Sequence, residues 1–339
     1  MIGLLAIVCV FVLLALVTLW GKSRTQAQFP PQGSFLEVDG LRLHYRDAGS
    51  GAGPVLVLIH GASSNLRDFS ASIFDPLSEN HRVIAIDRPG HGYSERPDGA
   101  WPDPGRQAAL VHGLLQQLEI KDPILVGHSW SGSLVLAYLL AFPADAAGAV
   151  LLAGATHPWA GGVAWYNDLA GVPLLGELFA RTLVYPLGSQ TLESAVASVF
   201  APNPVPAHYS QSTGVGLSLR PGVFLANAED ARGLSQFLAR QSRHYGDIRR
   251  PLLLLTGEDD AIVPAWNHSA RLARQAPNTE QVTFAATGHA LHHAHGARVV
   301  ALIEDFSRRQ RERPRLADSK AADNAATLIA APKATLGAD

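Results

Sequence analysis

Residues 124–132 read Ile124-Leu-Val-Gly-His-Ser-Trp-Ser-Gly132. A short apolar run, the pattern of a strand buried on both faces, passes into a cluster of small residues. From Leu134 onward the pattern is helical. Ser129 stands at the apex of this strand-to-helix turn. So sharp a turn leaves little room beside the apex, and Gly127, Ser131 and Gly132 are all small, as close backbone approach requires. The turn lifts the Ser129 hydroxyl to the C-terminal edge of the sheet, where the following helix points its free N–H groups.

The segments around this turn supply the sheet. Val55-Leu-Val-Leu-Ile59, Val83-Ile-Ala-Ile86, Ala149-Val-Leu-Leu152 and residues 252–255 are further continuous apolar runs, and 281–284 reads as a last strand. Residues 35–45 alternate around Asp39-Gly40, a hairpin signal. Helical patterns intervene at 106–118, 130–142, 265–275 and 298–307. Alternating β and α units predict an α/β fold with a doubly wound, mostly parallel sheet. About residues 157–247 interrupt the alternation and are rich in Pro, Gly and aromatic residues, among them Trp159, Trp165, Tyr166, Phe179 and Phe224. An insertion of this size before the penultimate strand predicts a largely helical cap over the C-terminal ends of the sheet, where open α/β folds bind ligands. The folded body is residues 34–307.

A serine hydroxyl is a poor nucleophile at neutral pH; it needs a base, and the base needs a carboxylate to orient it. Carboxylates follow the 252–255 strand in Thr256-Gly-Glu-Asp-Asp-Ala-Ile-Val-Pro264, and histidines follow the last strand in Ala286-Thr-Gly-His-Ala-Leu-His-His-Ala-His295. The loop after residues 55–59 reads His60-Gly-Ala-Ser-Ser64, and the one after residues 83–86 reads Asp87-Arg-Pro-Gly-His-Gly-Tyr-Ser94. In this order these segments resemble the α/β-hydrolase superfamily, its serine-nucleophile branch with a cap, esterase- or lipase-like. The resemblance covers about residues 34–307. Its one departure is Ser131, where the nucleophile elbow has a second Gly; serine is small and Gly132 follows, so the turn is expected to survive.

The resemblance implies a catalytic triad of Ser129, Asp260 and His289, with Glu258 and Asp259 as the competing carboxylates. It implies an oxyanion hole from the backbone amides of Ala62 and Trp130. The Asp87–Ser94 turn also matches a family turn and is expected to be structural, and His60, a lone loop histidine, reads as structural too. His292, His293 and His295 read as helix-start or surface residues. Four histidines so close invite a metal, but no H-E-x-x-H helix or cysteine partner accompanies them, and neither a metal nor a cofactor is expected.

The triad implies attack by Ser129 on an acyl carbon, an acyl-enzyme, and its release by water. Haloalkane dehalogenases and epoxide hydrolases resemble this chain but place Asp where Ser129 stands, so both are disfavoured. Ester hydrolysis is the first reading. Carbon–carbon bond hydrolases, proline iminopeptidases, perhydrolases and acyltransferases share the triad, and a non-catalytic binding protein on this fold is the reading from another class. The aromatic cap points to small or medium hydrophobic esters.

Composition and termini complete the picture. Of the 339 residues, 47% are hydrophobic and 17% charged, which excludes wholesale disorder. The net charge of −2, with no basic stripe, argues against a nucleic-acid partner. The single cysteine, Cys9, excludes an internal disulfide and a cysteine zinc site. Residues 2–20 carry no charge, and at about 1.5 Å per residue they span roughly 28 Å, close to the thickness of bilayer hydrocarbon. Nothing basic precedes the run and Thr25-Gln-Ala27 is a poor cleavage site, so a retained single-pass anchor is expected in place of a cleaved signal peptide. Lys22 and Arg24 lean towards a cytoplasmic body. Residues 21–33 read as a linker and 308–339 as a disordered tail.

Overall fold

In the computed structural model, which describes residues 2–312 apart from 98 and 100, the strand signals resolve into one eight-stranded sheet. Its strands are β1 (Ser34–Val38), β2 (Leu41–Ala48), β3 (Leu56–Ile59), β4 (Val83–Ile86), β5 (Ile124–His128), β6 (Gly148–Leu152), β7 (Leu252–Gly257) and β8 (Thr279–Phe284). Their order is β1-β2-β4-β3-β5-β6-β7-β8, antiparallel where β2 meets β1 and β4 and parallel elsewhere. Every residue of β3 to β7 is buried, the reason those segments read as unbroken apolar runs. Side chains alternate between two cores. Val57, Ile59 and Leu125 face one cluster, and Leu56, Leu58 and Val126 face the other.

Helices cover both faces. Before β5 and after it come α4 (Pro104–Gln117) and α5 (Ser131–Ala141), whose Leu114, Leu134 and Tyr138 fill the first core; α2 (Arg67–Ser70) and α3 (Phe74–Ser78) follow β3 and contribute Phe69 and Phe74 to the second. Asp103 caps α4 by accepting from the Arg106 amide, and Pro104 occupies the first turn, where its missing N–H costs nothing. The chain reverses its winding at β3, which lies between β4 and β5. The loops after β3 and β5 therefore leave the same edge side by side, the usual place for a ligand in such sheets.

Between β6 and β7 the chain forms the helical cap: α6 (Trp165–Ala170), α7 (Leu175–Thr182), α8 (Val184–Phe200), α9 (Tyr209–Thr213), a 3-10 turn (Val215–Leu219), α10 (Pro221–Gln241) and a second 3-10 turn (Ser242–Asp247). The last three helices are α11 (Ser269–Gln275), α12 (Leu291–Ala294) and α13 (Gly296–Glu312).

Two expected boundaries move. The N-terminal helix, α1 (Ile2–Gln28), continues eight residues beyond the apolar run, so most of the expected 21–33 linker is helix. No proline interrupts the chain before Pro30, and Gly21 and Thr25 are buried against the cap. At the other end α13 runs to Glu312, where the tail was expected from 308, because Arg309 bonds Glu280 at 2.8 Å and Phe306 packs in the core. The expected disordered tail otherwise lies outside the described residues. Among those residues, α1 is the one helix long and apolar enough to cross a membrane.

Candidate active site

Ser129 adopts φ 54°, the left-handed conformation that a non-glycine residue keeps only when its surroundings enforce it. Here they do. The Ser129 amide donates to Leu152 O at 2.9 Å, and its carbonyl accepts from Gly132 N at 2.9 Å and Ala155 N at 2.8 Å. A methyl group on Gly127 would lie 2.7 Å from Ser131 O, and one on Gly132 would lie 2.7 Å from Gly154 Cα. Glycine is thus required on both sides of the turn. Ser131 has a use of its own: its hydroxyl donates to His60 O at 2.5 Å, tying the start of α5 to the loop after β3.

Three distant segments converge on this hydroxyl. His289, on the loop between β8 and α12, holds Nε2 2.8 Å from Ser129 Oγ and Nδ1 2.8 Å from Asp260 Oδ2. The arrangement suits the neutral ring with its proton on Nδ1, donating to Asp260 and accepting from Ser129. Asp260 is fixed in turn, its Oδ1 accepting from the amides of Ile262 and Val263 at 2.9 Å each. Burial pushes the Asp260 carboxyl up, but the His289 hydrogen bond and charge and the two amides outweigh it, and the group stays below its ordinary value. The competing Glu258 and Asp259 are exposed.

The other expected residues lie alongside. Ala62 follows β3 and Trp130 follows Ser129, and among the described residues neither amide has a hydrogen-bond partner. The next amide, Ser63 N, is taken by Asn227 Oδ1 of α10 at 2.6 Å. The Trp130 indole donates to Asp230 O at 3.1 Å and lies under the Arg88 guanidinium, 4.0 Å from the ring centroid. His60 braces its loop: Nδ1 bonds Gly61 O at 2.8 Å and Nε2 accepts from Arg88 N at 3.0 Å. Burial, with the Arg88 charge beside it, drops the His60 imidazole to about 4, so it is neutral. Asp87 accepts from Leu66 N and Tyr93 N at 2.8 Å each and from His44 at 2.6 Å, which makes its turn a scaffold.

Two clusters join residues that the sequence reading did not connect. In the first, Arg88, fully buried, meets the equally buried Asp230 of α10 at 2.5 Å. Asp230 also accepts from Arg96, Trp101 and Gln107 at 3.1–3.2 Å. This ion pair pins the cap to the loop after β4. In the second, Asp68 of α2 accepts from His292 at 2.9 Å, from His293 at 2.8 Å and from the Tyr209 hydroxyl of α9 at 3.2 Å. His292 and His293 are at the helix start, as expected, but their side chains are buried, not at the surface. Burial raises the Asp68 carboxyl, yet the two histidines hold it well below its ordinary value. Asp68, His128 and His292 bring ligand atoms within 4.8 Å of one another, close enough to hold a metal ion. The hydrogen bonds from His292, His293 and Tyr209 already satisfy the Asp68 carboxylate.

The geometry can support nucleophilic acyl transfer. A hydroxyl abuts an imidazole, the imidazole abuts a carboxylate, and two amides stand at the neighbouring loop and helix start.

Comparison with known proteins gives the same fold. The family model described as "alpha/beta hydrolase fold" matches residues 54–295. A 2-hydroxy-6-oxononadienedioate/2-hydroxy-6-oxononatrienedioate hydrolase of Paraburkholderia phymatum is 28% identical over 282 residues, 78% of this chain and 91% of that protein. A 2-hydroxymuconate semialdehyde hydrolase of Pseudomonas putida is 30% identical over 82% of this chain and 95% of its own length. Among solved structures, a putative aryl esterase from Burkholderia cenocepacia is 25% identical, covering 83% of this chain and all of its own, with a TM-score of 0.63. A membrane phospholipase A matches 92% of this chain and 97% of its own at 22% identity, with a TM-score of 0.62.

Proposed function

The chain belongs to the alpha/beta hydrolase family, and we propose that within it this protein is a membrane-anchored serine esterase for small to medium hydrophobic carboxylic esters. The observation that carries the reading is the unbroken line of two 2.8 Å hydrogen bonds from Ser129 through His289 to Asp260. Ser129 attacks the ester carbon as His289 takes its proton. Asp260 stabilises the imidazolium, and the amides of Ala62 and Trp130 receive the oxyanion, each worth about 3–4 kcal/mol in the barrier. Protonation of the leaving alcohol by His289 gives the acyl-enzyme, which water then hydrolyses. The α1 helix holds this site beside lipid-dissolved substrates, with Lys22 and Arg24 favouring a cytoplasmic body.

Carbon–carbon bond hydrolysis is the second reading, supported by the names of the two relatives. The substrate in the first of those names is a dicarboxylate, which calls for free cations. Here the buried cation stacked on the Trp130 ring, Arg88, is already engaged by Asp230. That favours a neutral substrate. A panel of short p-nitrophenyl esters, amides and vinylogous diketones on the full chain tests the choice. Turnover confined to the esters and lost in Ser129→Ala supports the proposal; turnover of the diketones alone transfers the chain to the second reading.

A further inference from the structure

The residues of α1 covered by the rest of the protein include Phe11, Leu14, Thr18, Gly21 and Thr25. They recur at intervals of three and four, one continuous stripe along a helix. The elements packed on α1 are α7, α8 and the Val215–Leu219 turn. Their contacts run along it in order. Gly216 lies beside Thr25, the Tyr185 ring covers Gly21, and the Thr18 hydroxyl lies 3.5 Å from Thr182 O at the end of α7. The remainder of α7 is left to cover Leu14 and Phe11. Its eight residues are about 12 Å long, and Thr18 to Phe11 is about 10 Å of helix. Phe11 and Leu14 lie inside the uncharged 2–20 run.

The chemistry of the hairpin matches that depth. Leu169-Ala-Gly-Val-Pro-Leu-Leu-Gly176, which includes the turn from α6 to α7, carries no charge. Leu174 at its tip is 86% exposed and Trp165 69%, with Val172, Leu175 and Leu178 also exposed. The nearest charges are Arg232 of α10, whose guanidinium lies against Gly171, Asp168 on α6 and the Glu177–Arg181 pair, joined at 2.7 Å within α7. A contiguous exposed apolar surface of this kind marks an interaction site, and its continuity with α1 identifies the partner as lipid.

We propose that the tip of the α6–α7 hairpin, residues 172–175, is inserted in the hydrocarbon of the bilayer beside α1, so that the cap is itself a membrane-embedded element. The proposal rests on reading α1 as a membrane span. It gives a lipid-dissolved ester a route to the site. Trp165, Phe179 and Phe224 form a line of rings with centroids 6.1 and 5.8 Å apart. One turn beyond Phe224 on α10, Asn227 holds the loop that carries Ala62.

The test uses the full chain with Cys9→Ser, which removes its only cysteine, and a single NBD label at Leu174→Cys or, as a water-side control, at exposed Lys121→Cys. Each is reconstituted in phosphatidylcholine vesicles with and without lipids doxyl-labelled on the acyl chain. The Leu174 probe is expected to emit at shorter wavelength than the Lys121 probe and to lose several-fold more intensity to the doxyl lipids. Equal, water-like emission at both sites overturns the hairpin proposal while leaving the anchor intact. A blue shift without doxyl quenching means that protein, such as a second copy, covers the hairpin, and also overturns it. Release of the unlabelled chain from vesicles by alkaline carbonate overturns the anchor reading, and the hairpin proposal with it. A Leu174→Asp/Leu175→Asp variant is expected to raise KM several-fold for a vesicle-borne long-chain ester and to leave soluble short esters unaffected.

Discussion

Asp260 is the residue whose role is easiest to isolate, because its partners are all identified. Asp260→Asn keeps the shape and the amide contacts but presents a side-chain N–H or a weaker acceptor to His289, favouring the wrong tautomer. The expected loss is about 10⁴-fold in kcat with KM nearly unchanged, read from steady-state ester hydrolysis. A loss below tenfold would remove Asp260 from the relay. Asp68 acts at one remove. Its two oxygens hold His292 and His293, three and four residues beyond His289, and Tyr209 of the cap. Asp68→Ala strands those buried donors and is expected to destabilise the fold by about 1.5–3 kcal/mol, measured as a lower denaturant midpoint at unchanged m-value. An unchanged midpoint would show that the cluster holds nothing in place.

Among the elements, α10 links the cap to the site. Asp230 carries the buried Arg88 pair, and Asn227 engages the loop that contains Ala62. Removing one member of a buried pair leaves an uncompensated charge, so Asp230→Ala is expected to cost about 3–5 kcal/mol, visible in thermal or chemical unfolding. If the cost is under 1 kcal/mol, the cap is held by its apolar contacts instead. This clamp also marks the limit of what the chain discloses on reading. The buried runs, the elbow and the chemical types around it were legible because each obeys a local rule: apolar continuity, small residues at a tight turn, carboxylates and histidines after strand ends. Asp230 and Asp68 follow no local rule. Asp230 lies in a helix of mixed polarity and gains its meaning from Arg88, 142 positions earlier. The reach of α1 to Gln28 was hidden for the same reason, because its polar end is stabilised by packing on the cap and not by its own sequence.

For the molecule as a whole, buried histidines set the response to pH. Burial, its largest cause, lowers His60, His157 and His268 to about 4, and holds His91 and His128 well below their ordinary value. Unfolded, each titrates near 6.5. Between these values the unfolded chain binds more protons than the folded one, so stability rises with pH across that window and falls as acid is added. The depressed carboxylates of Asp68, Asp87 and Asp260 contribute a second stabilisation, fully present above their ordinary value of 3.8 and lost as pH falls through their lower folded values. The Tm is therefore expected to decline steadily from about pH 6.5 towards 4 and faster below. A Tm that is flat from pH 7 to 4.5 would contradict the neutral burial of these rings.

Ester hydrolysis by this triad requires that Ser129 become covalently acylated. Full-length protein in detergent, mixed with a short p-nitrophenyl ester and quenched in acid within milliseconds, should yield one peptide heavier by a single acyl group, with the adduct on Ser129. The same peptide from the His289→Ala protein should carry almost none. An adduct on another residue, or sustained ester turnover by Ser129→Ala at the native rate, would contradict the mechanism.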